Sequence, residues 1–236
     1  MQEQIKDFYE SYDEEGRLFR DKAHLPEYLT TIHYFDHLFV PESKILDACA
    51  GTGRYSFYLV EKGHIVTSCD LVEHNVNIIK MKPNADKLVS ISVCNVLDLS
   101  LFEENSFDIV LCMGALYHLS TEELREKAIS ECVRVCKVGG IVVLAYIIEH
   151  TNIIEDKYVD FFFCTTPSQI ERIAVTCGLK KIYSIGTDGI INILGNKLKE
   201  ANDEDFSKYM EAHYMTCEDE SIINASIHGL WIGRKT

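Results

Sequence analysis

The stretch Lys44-Ile-Leu-Asp-Ala-Cys-Ala-Gly-Thr-Gly53 decides the fold. A short apolar run ends in a Gly-x-Gly turn, and a helix-forming segment, Arg54 to Lys62, begins at once. Glycines at 51 and 53 let the backbone bend where a Cβ would interfere, and let a ligand lie directly against it. Asp47 ends the apolar run and stands beside the turn. The next apolar run, His64 to Asp70, closes on a second acid 19 residues after Gly51. In doubly wound sheets an acid at that point accepts hydrogen bonds from ribose hydroxyls. A Gly-x-Gly alone says little, whereas strand, loop, helix, strand and terminal acid in that order point to a nucleotide-like ligand.

Outward from this unit the chain keeps alternating strand-like and helix-like runs, the pattern of a doubly wound α/β sheet. Val72, Val76 and Ile79 mark one helix face at helical spacing. Val89, Ile91 and Val93 alternate with serines, which suits an edge strand. Phe107 to Met113 and Ile141 to Ile148 are near-continuous apolar runs, expected of central strands covered on both faces. Ser120 with Glu123, and Thr166-Pro167 with Gln169, read as capping boxes opening two helices. Lys181 to Thr187 and Ala225 to Arg234 read as the remaining strands.

Two segments lie outside the repeat. Residues 1–43 carry two helices, the second marked by Leu25, Leu29, Ile32 and Phe39. Residues 188–224 form a helical insert, with Phe206, Met210, His213 and Cys217 on one side of a helix over Asn202 to Cys217. The economical division is a single domain over 1–236: cap helices at 1–43, a cofactor-binding core at 44–187, the insert at 188–224 and a final strand at 225–236.

Two ligands compete for the loop. A dinucleotide calls for G-x-G-x-x-G, and Gly51-Thr-Gly53-Arg-Tyr-Ser56 supplies Ser at the third place. Its pyrophosphate also favours a helix N-terminus free of nearby acids. Asp47 suits instead a ligand carrying an ammonium or sulfonium group.

On these residues the sequence resembles a class I S-adenosylmethionine-dependent methyltransferase, in the broad branch of small bacterial enzymes with a generic methyltransferase domain. Ile45-Leu-Asp-Ala-Cys-Ala-Gly-Thr-Gly-Arg54 resembles the first motif of that family, and Cys69-Asp70-Leu71 the second. Cys94-Asn-Val-Leu-Asp-Leu99 and Ser106 to Leu119 resemble the third and fourth, and Arg134-Val-Cys-Lys-Val-Gly-Gly140 the turn into strand five. The motifs follow family order from residue 44 to about 148.

The resemblance implies a Rossmann-like sheet, mostly parallel with an antiparallel last strand, in the order 3-2-1-4-5-7-6. It implies S-adenosylmethionine as cofactor and methyl transfer to an unidentified small molecule. Asp47, Cys49, Ala50, Gly51 and Gly53 would hold the methionine part, and Asp70 and Leu71 the ribose and adenine. Asn95 and Val96 would meet the adenine edge, and Met113 and Gly114 the sulfonium side. Two residues depart from the pattern: Cys49 replaces the first glycine, and Asn95 stands where Asp is commoner. An NAD(P)-dependent oxidoreductase on a related sheet and a non-catalytic cofactor-binding protein remain as alternatives.

Tyr117 and His118, just past the fourth strand, are the candidate catalytic pair, at the rim where ligands lie in such sheets. Glu149 and His150 end the fifth strand at the same rim, and Asp188-Gly189 follows the sixth, where a turn explains them. Tyr12 and Arg17 from the N-terminal segment, with His150 and His213, are candidates for the acceptor pocket.

Composition narrows the partners. The formal charge of −14 argues against a phosphate-backbone binder and against anchoring on anionic lipid. No apolar run approaches the ~20 residues that span a bilayer, and the N-terminus lacks a signal-peptide core. The nine cysteines form no C-x-x-C pair and read as core filler in a reducing, cytoplasmic setting. Cys132 and Cys136 are four apart but have no His or carboxylate partner at ligand spacing, so no metal is expected.

Overall fold

The computed structural model describes residues 2–12, 15–148 and 162–236. The strands are β1 (Lys44–Asp47), β2 (Ile65–Asp70), β3 (Ser90–Val93), β4 (Phe107–Met113), β5 (Cys136–Ile147), β6 (Leu179–Gly186) and β7 (His228–Lys235). They form one sheet in the order β3-β2-β1-β4-β5-β7-β6. The first five pair in parallel, and β7 runs antiparallel to both β5 and β6. This is the sheet that the family resemblance implies.

Helices α3 (Arg54–Glu61), α4 (Glu73–Met81), α5 (Glu122–Val135) and α6 (Pro167–Thr176) cover the two faces. The apolar runs of β4 and β5 are buried between them, from Ile109 to Cys112 and from Val142 to Leu144. Gly63 closes α3 at φ +87°, the left-handed conformation that glycine adopts without strain. Val72, Val76 and Ile79 are buried as the periodicity predicts. Thr166 caps α6 in a complete capping box with Gln169. At α5 the cap falls one residue later than expected. Thr121, in the extended conformation an N-cap needs, accepts from Leu124 N, and Ser120 is left outside.

Other local differences have plain causes. β3 is indeed the edge of the described sheet, yet Val89 and Val93 are exposed and only Ile91 packs inward, because among the described residues the strand has a neighbour on one side alone. Residues Glu220–Ala225 form a short helix, α9, so the final strand starts only at His228. Cys69 and Cys94 are joined as a disulfide, which corrects the reading of all nine as free thiols. The parallel pairing of β2 with β3 brings their Cα atoms to 5.7 Å, inside the range a disulfide spans.

The N-terminal helices are α1 (Gln2–Ser11) and α2 (Leu25–Leu38), and α7 (Ile191–Glu200) and α8 (Asp203–Thr216) precede α9 in the insert. The buried face of α2 is Pro26, Thr30, Thr31, Tyr34 and Phe35, rather than the Leu25, Leu29, Ile32 stripe. The insert explains that rotation, since α8 and its C-terminal residues pack against polar positions of α2. His213 Nε2 lies 3.0 Å from Thr30 Oγ1, and Tyr34 Oη donates to Glu218 at 2.7 Å. His33 stacks on Tyr214 at 4.2 Å, and Lys22 reaches Asp203. The expected inner side of α8 holds: Met210, His213 and Cys217 are buried, and Phe206 packs against Ala23, Ile191 and Leu198.

Candidate active site

Every parallel strand of the sheet delivers its C-terminal end to the same side, and the β1–α3 loop lies at its centre. Gly51 and Gly53 take φ of +52° and +85°, a region L side chains avoid. Residue 49 does not, so a Cys is compatible with the loop there, and its side chain packs against the core cluster that includes Cys112. The loop is pinned by Asp70. Its Oδ2 accepts from Gly51 N at 2.8 Å, and its Oδ1 accepts from Val72 N at 2.9 Å and Asn75 Nδ2 at 3.3 Å. Three of about four lone-pair positions are thus filled, leaving about one for a ligand. Burial holds the carboxyl of Asp70 above its ordinary range.

A cavity of about 300 Å³ opens over this loop. Cys49, Ala50, Gly51, Asp70, Leu71, Asn95, Val96, Met113 and Gly114 all line it. Asp47 and Gly53 do not. Gly53 is needed for packing, since a Cβ there would stand 3.0 Å from Ile79 Cγ1 and 3.1 Å from the Phe57 ring. Asp47 is 1% exposed and accepts from Ser56 Oγ at 2.6 Å, with Ser68 Oγ donating to Ser56 in turn. Burial, with a smaller push from Asp70, raises Asp47 to about 7. The buried Ser56 occupies the place where a dinucleotide loop carries its third glycine.

The N-terminal segment roofs the cavity with Ile5, Tyr9, Glu15, Arg17 and Leu18. Glu15 fastens the roof by accepting from Arg54 Nη2 at 2.8 Å and from Lys82 Nζ. Tyr117 and His118 line the same cavity, and Tyr9 Oη lies 3.0 Å from His118 Nε2. His118 is buried.

A second cavity of about 280 Å³ adjoins the first, and Tyr9, Arg17, Tyr55, Met113, Gly114 and Tyr117 belong to both linings. Tyr12 and Arg17, two of the candidates for the acceptor pocket, line it. His213 does not, because it is buried between Thr30 and the Thr187 carbonyl, where it braces α8 against α2. Glu149 and His150 lie outside the described residues.

Sequence reasoning passed over a charged wall in the second cavity, built from Arg20, His24, Glu27 and His228. Arg17 grips Glu27 through two hydrogen bonds of 2.8 and 3.0 Å. Asp188, beyond a tight turn in the chain, accepts from His228 Nδ1 at 2.8 Å. Burial alone would raise Glu27, but Arg17 and His228 outweigh it and hold the group at about 2. Only β6–β7 pairing brings residue 188 to residue 228, so no local signal announces the contact.

The first cavity fits a nucleoside joined to an amino acid. Leu71, Val96 and Leu97 offer apolar faces for a flat base, and Asn95, whose Oδ1 accepts from Leu97 N, keeps its amide hydrogens available to donate. Bare backbone at Gly51 and Gly114 permits close approach. Among the described residues no group of three or more His, Cys, Asp or Glu side chains is placed to hold a metal ion. No described helix is long and apolar enough to cross a membrane.

Comparison with known proteins agrees with this geometry. Residues 46–144 match a family described as "Methyltransferase domain". The chain is 33% identical over 103 residues to a glycine/sarcosine N-methyltransferase of Aphanothece halophytica, covering 43% of this chain and 39% of that protein. It is 35% identical over 102 residues to a tRNA (carboxymethyluridine(34)-5-O)-methyltransferase of Arabidopsis thaliana, covering 43% and 23%. The matches therefore span well under half of these relatives' lengths. In fold, the chain is similar to a 1,6-didemethyltoxoflavin-N1-methyltransferase of Burkholderia thailandensis, solved with 1,6-didemethyltoxoflavin and S-adenosylhomocysteine. That likeness has a TM-score of 0.62 at 15% identity, over 100% of this chain and 87% of that one.

Proposed function

We propose that this chain, a class I S-adenosylmethionine-dependent methyltransferase, moves a methyl group onto a small molecule seated in the second cavity. The observation that carries this reading is the junction of the two cavities at Met113, Gly114 and Tyr117. S-adenosylmethionine supplies an electrophilic methyl on a sulfonium, a group that leaves without metal or redox help.

The protein's own residues position, enclose and take up a proton. Asp70 accepts from the ribose with the lone pair its three internal bonds leave, and Asn95 donates to the base. Cys49, Ala50 and Gly51 offer backbone to the amino-acid part, while Asp47 supports the loop from below, through Ser56 on α3. The roof from α1 and residues 15–18 excludes water, which favours displacement over hydrolysis. Alignment of the two reactants supplies most of the rate, because the displacement is in line. For a hydroxyl or amine acceptor, Tyr9 takes the proton as it passes its own to His118 Nε2. Tyr117 stacks on Phe162 and forms the wall between the two cavities.

The whole of 1–236 acts as one catalytic unit, with 1–43 as roof and 188–224 as its brace. A cavity of about 280 Å³ and a charge of −14 support a small acceptor over nucleic acid. Action on glycine and sarcosine, named for one relative, points the same way, and the tRNA activity named for the other points against it. Seven cysteines outside the Cys69–Cys94 disulfide support a cytoplasmic setting. Calorimetry with S-adenosylhomocysteine and with NAD tests the reading. Binding of the first alone is expected, and its failure to bind overturns the proposal. Given an acceptor, Tyr9→Phe and His118→Ala should each lower kcat with little change in the affinity for S-adenosylhomocysteine.

A further inference from the structure

The second cavity is charged in a way the chain as a whole is not. Against a net charge of −14, its described lining holds two arginines and two histidines but one carboxylate, Glu27. That carboxylate is occupied. Both its oxygens accept from Arg17, at 2.8 and 3.0 Å, and Oε2 also lies 3.6 Å from His228 Nδ1. Asp188, behind His228, is occupied as well. Its Oδ1 accepts from Ile227 N and His228 N, and its Oδ2 accepts from His228 Nδ1. Among the described residues here, a cationic ligand meets no carboxylate oxygen without a partner.

The donors are placed the other way. Among the described residues Arg20 makes no hydrogen bond or ion pair, and it lines the cavity from its exposed rim. His228 is fixed through Nδ1 by Asp188, and its Nε2 has no partner among the described residues. His24 is held by Asp21 at 2.7 Å. The groups facing the His228 ring are Glu27 from α2, Asp188 from the turn after β6, and Arg17 from the short helix at 17–19. Burial would lower the imidazole and Arg17 opposes its charge, but the two carboxylates prevail and hold it above its ordinary value. A protonated ring presents Nε2 as a donor. In the same lining, Phe8 packs on Tyr12 and Phe162 and supplies aromatic surface.

The geometry points to an acceptor that is a small organic anion, its carboxylate or phosphate oxygens held by the Arg20 guanidinium and His228 Nε2 and its apolar body against Phe8, Tyr12 and Phe162. Guanidinium and imidazolium both donate strongly to such oxygens, and charge-assisted bonds of this kind are the strong ones. The inference rests on the reading that the first cavity holds the methyl donor.

Calorimetry on the full chain saturated with S-adenosylhomocysteine tests it, with 3-phenylpropionate, phenyl phosphate, neutral 3-phenylpropanol and phenethylammonium as probes. At least one anion should bind about tenfold or more tightly than the alcohol, and which one does so separates carboxylate from phosphate. Arg20→Gln and His228→Gln should each remove about that factor for the anion while leaving the alcohol unchanged. Arg20 is exposed, so its variant keeps the test open if His228→Gln unfolds. Equal binding of anion and alcohol, tighter binding of the ammonium, or no anion binding while S-adenosylhomocysteine binds each overturns the proposal. Failure of S-adenosylhomocysteine itself overturns the reading of the first cavity instead.

Discussion

Asp47→Asn removes a carboxyl that folding places where a charge is least welcome. The group is 1% exposed, and burial, with Asp70 adding to it, raises it to about 7 in the folded protein. In the unfolded chain it titrates at its ordinary value, about 3.9. A group raised by folding contributes its full stability below the unfolded value and loses it as pH climbs to the folded value. The window is therefore about pH 4 to 7, where each unit costs the wild type about 1.4 kcal/mol. Between pH 5 and 8 the wild type should lose about 2.5 kcal/mol that the Asn variant retains, the slope ending near the folded value. The variant keeps its support, because the amide oxygen still accepts from Ser56 Oγ. Urea unfolding of both proteins at pH 5, 6, 7 and 8 measures the difference, and all other titrating groups cancel between them. A difference that stays flat from pH 5 to 8 refutes the claim that Asp47 is buried without a compensating cation.

Three further outcomes follow from other contacts. Glu27→Gln should cost about 3 kcal/mol at pH 7, because the wild-type group, held at about 2, contributes above its unfolded value and loses that contribution as pH falls from about 4.5 to 2; urea midpoints of the two proteins should converge toward pH 2. Gly140→Ala should lower the urea midpoint by about 2 kcal/mol of stability, since a Cβ there would stand 2.7 Å from the Asp108 carbonyl and from Cys136 Sγ. Glu15→Ala breaks pairs that are partly exposed, so global stability should move by less than about 1 kcal/mol. Hydrogen exchange in α1 should nevertheless quicken, and the affinity for S-adenosylhomocysteine should fall.

What could be read in the sequence was whatever local chemistry fixes. The Gly-x-Gly turn, the acid at the end of β2 and the two buried strands each carry their cause within a few residues, and they carried the family resemblance that implied the sheet order. Thr166 with Gln169 was legible because a capping box is a four-residue device. Thr121 was missed because Ser120 offers the same chemistry, and only backbone conformation chooses between them. The polar face of α2 was unreadable, since its partner His213 lies 183 residues away. The same holds for the second cavity, whose charged wall joins residues 17–27 to 188 and 228. Asp47 illustrates the opposite error: its position beside the loop was right, but adjacency in sequence concealed that its side chain turns toward α3.

The antiparallel β7 has a consequence for how the molecule comes together. Among the described residues β6 pairs only with β7, and β7 fills the space between β6 and β5. As the chain leaves the ribosome, β1 to β5 can assemble with their helices while β6 waits about 40 residues for a neighbour, the separation of Gly186 from His228 being 42. During that interval β5 and β6 both present unpaired edges, the surfaces through which partly made sheets join to one another. His228, Gly229 and Leu230 also floor the second cavity. The floor of the second cavity is thus the last part of the sheet to exist, completed by the same strand whose insertion ends the exposure to aggregation.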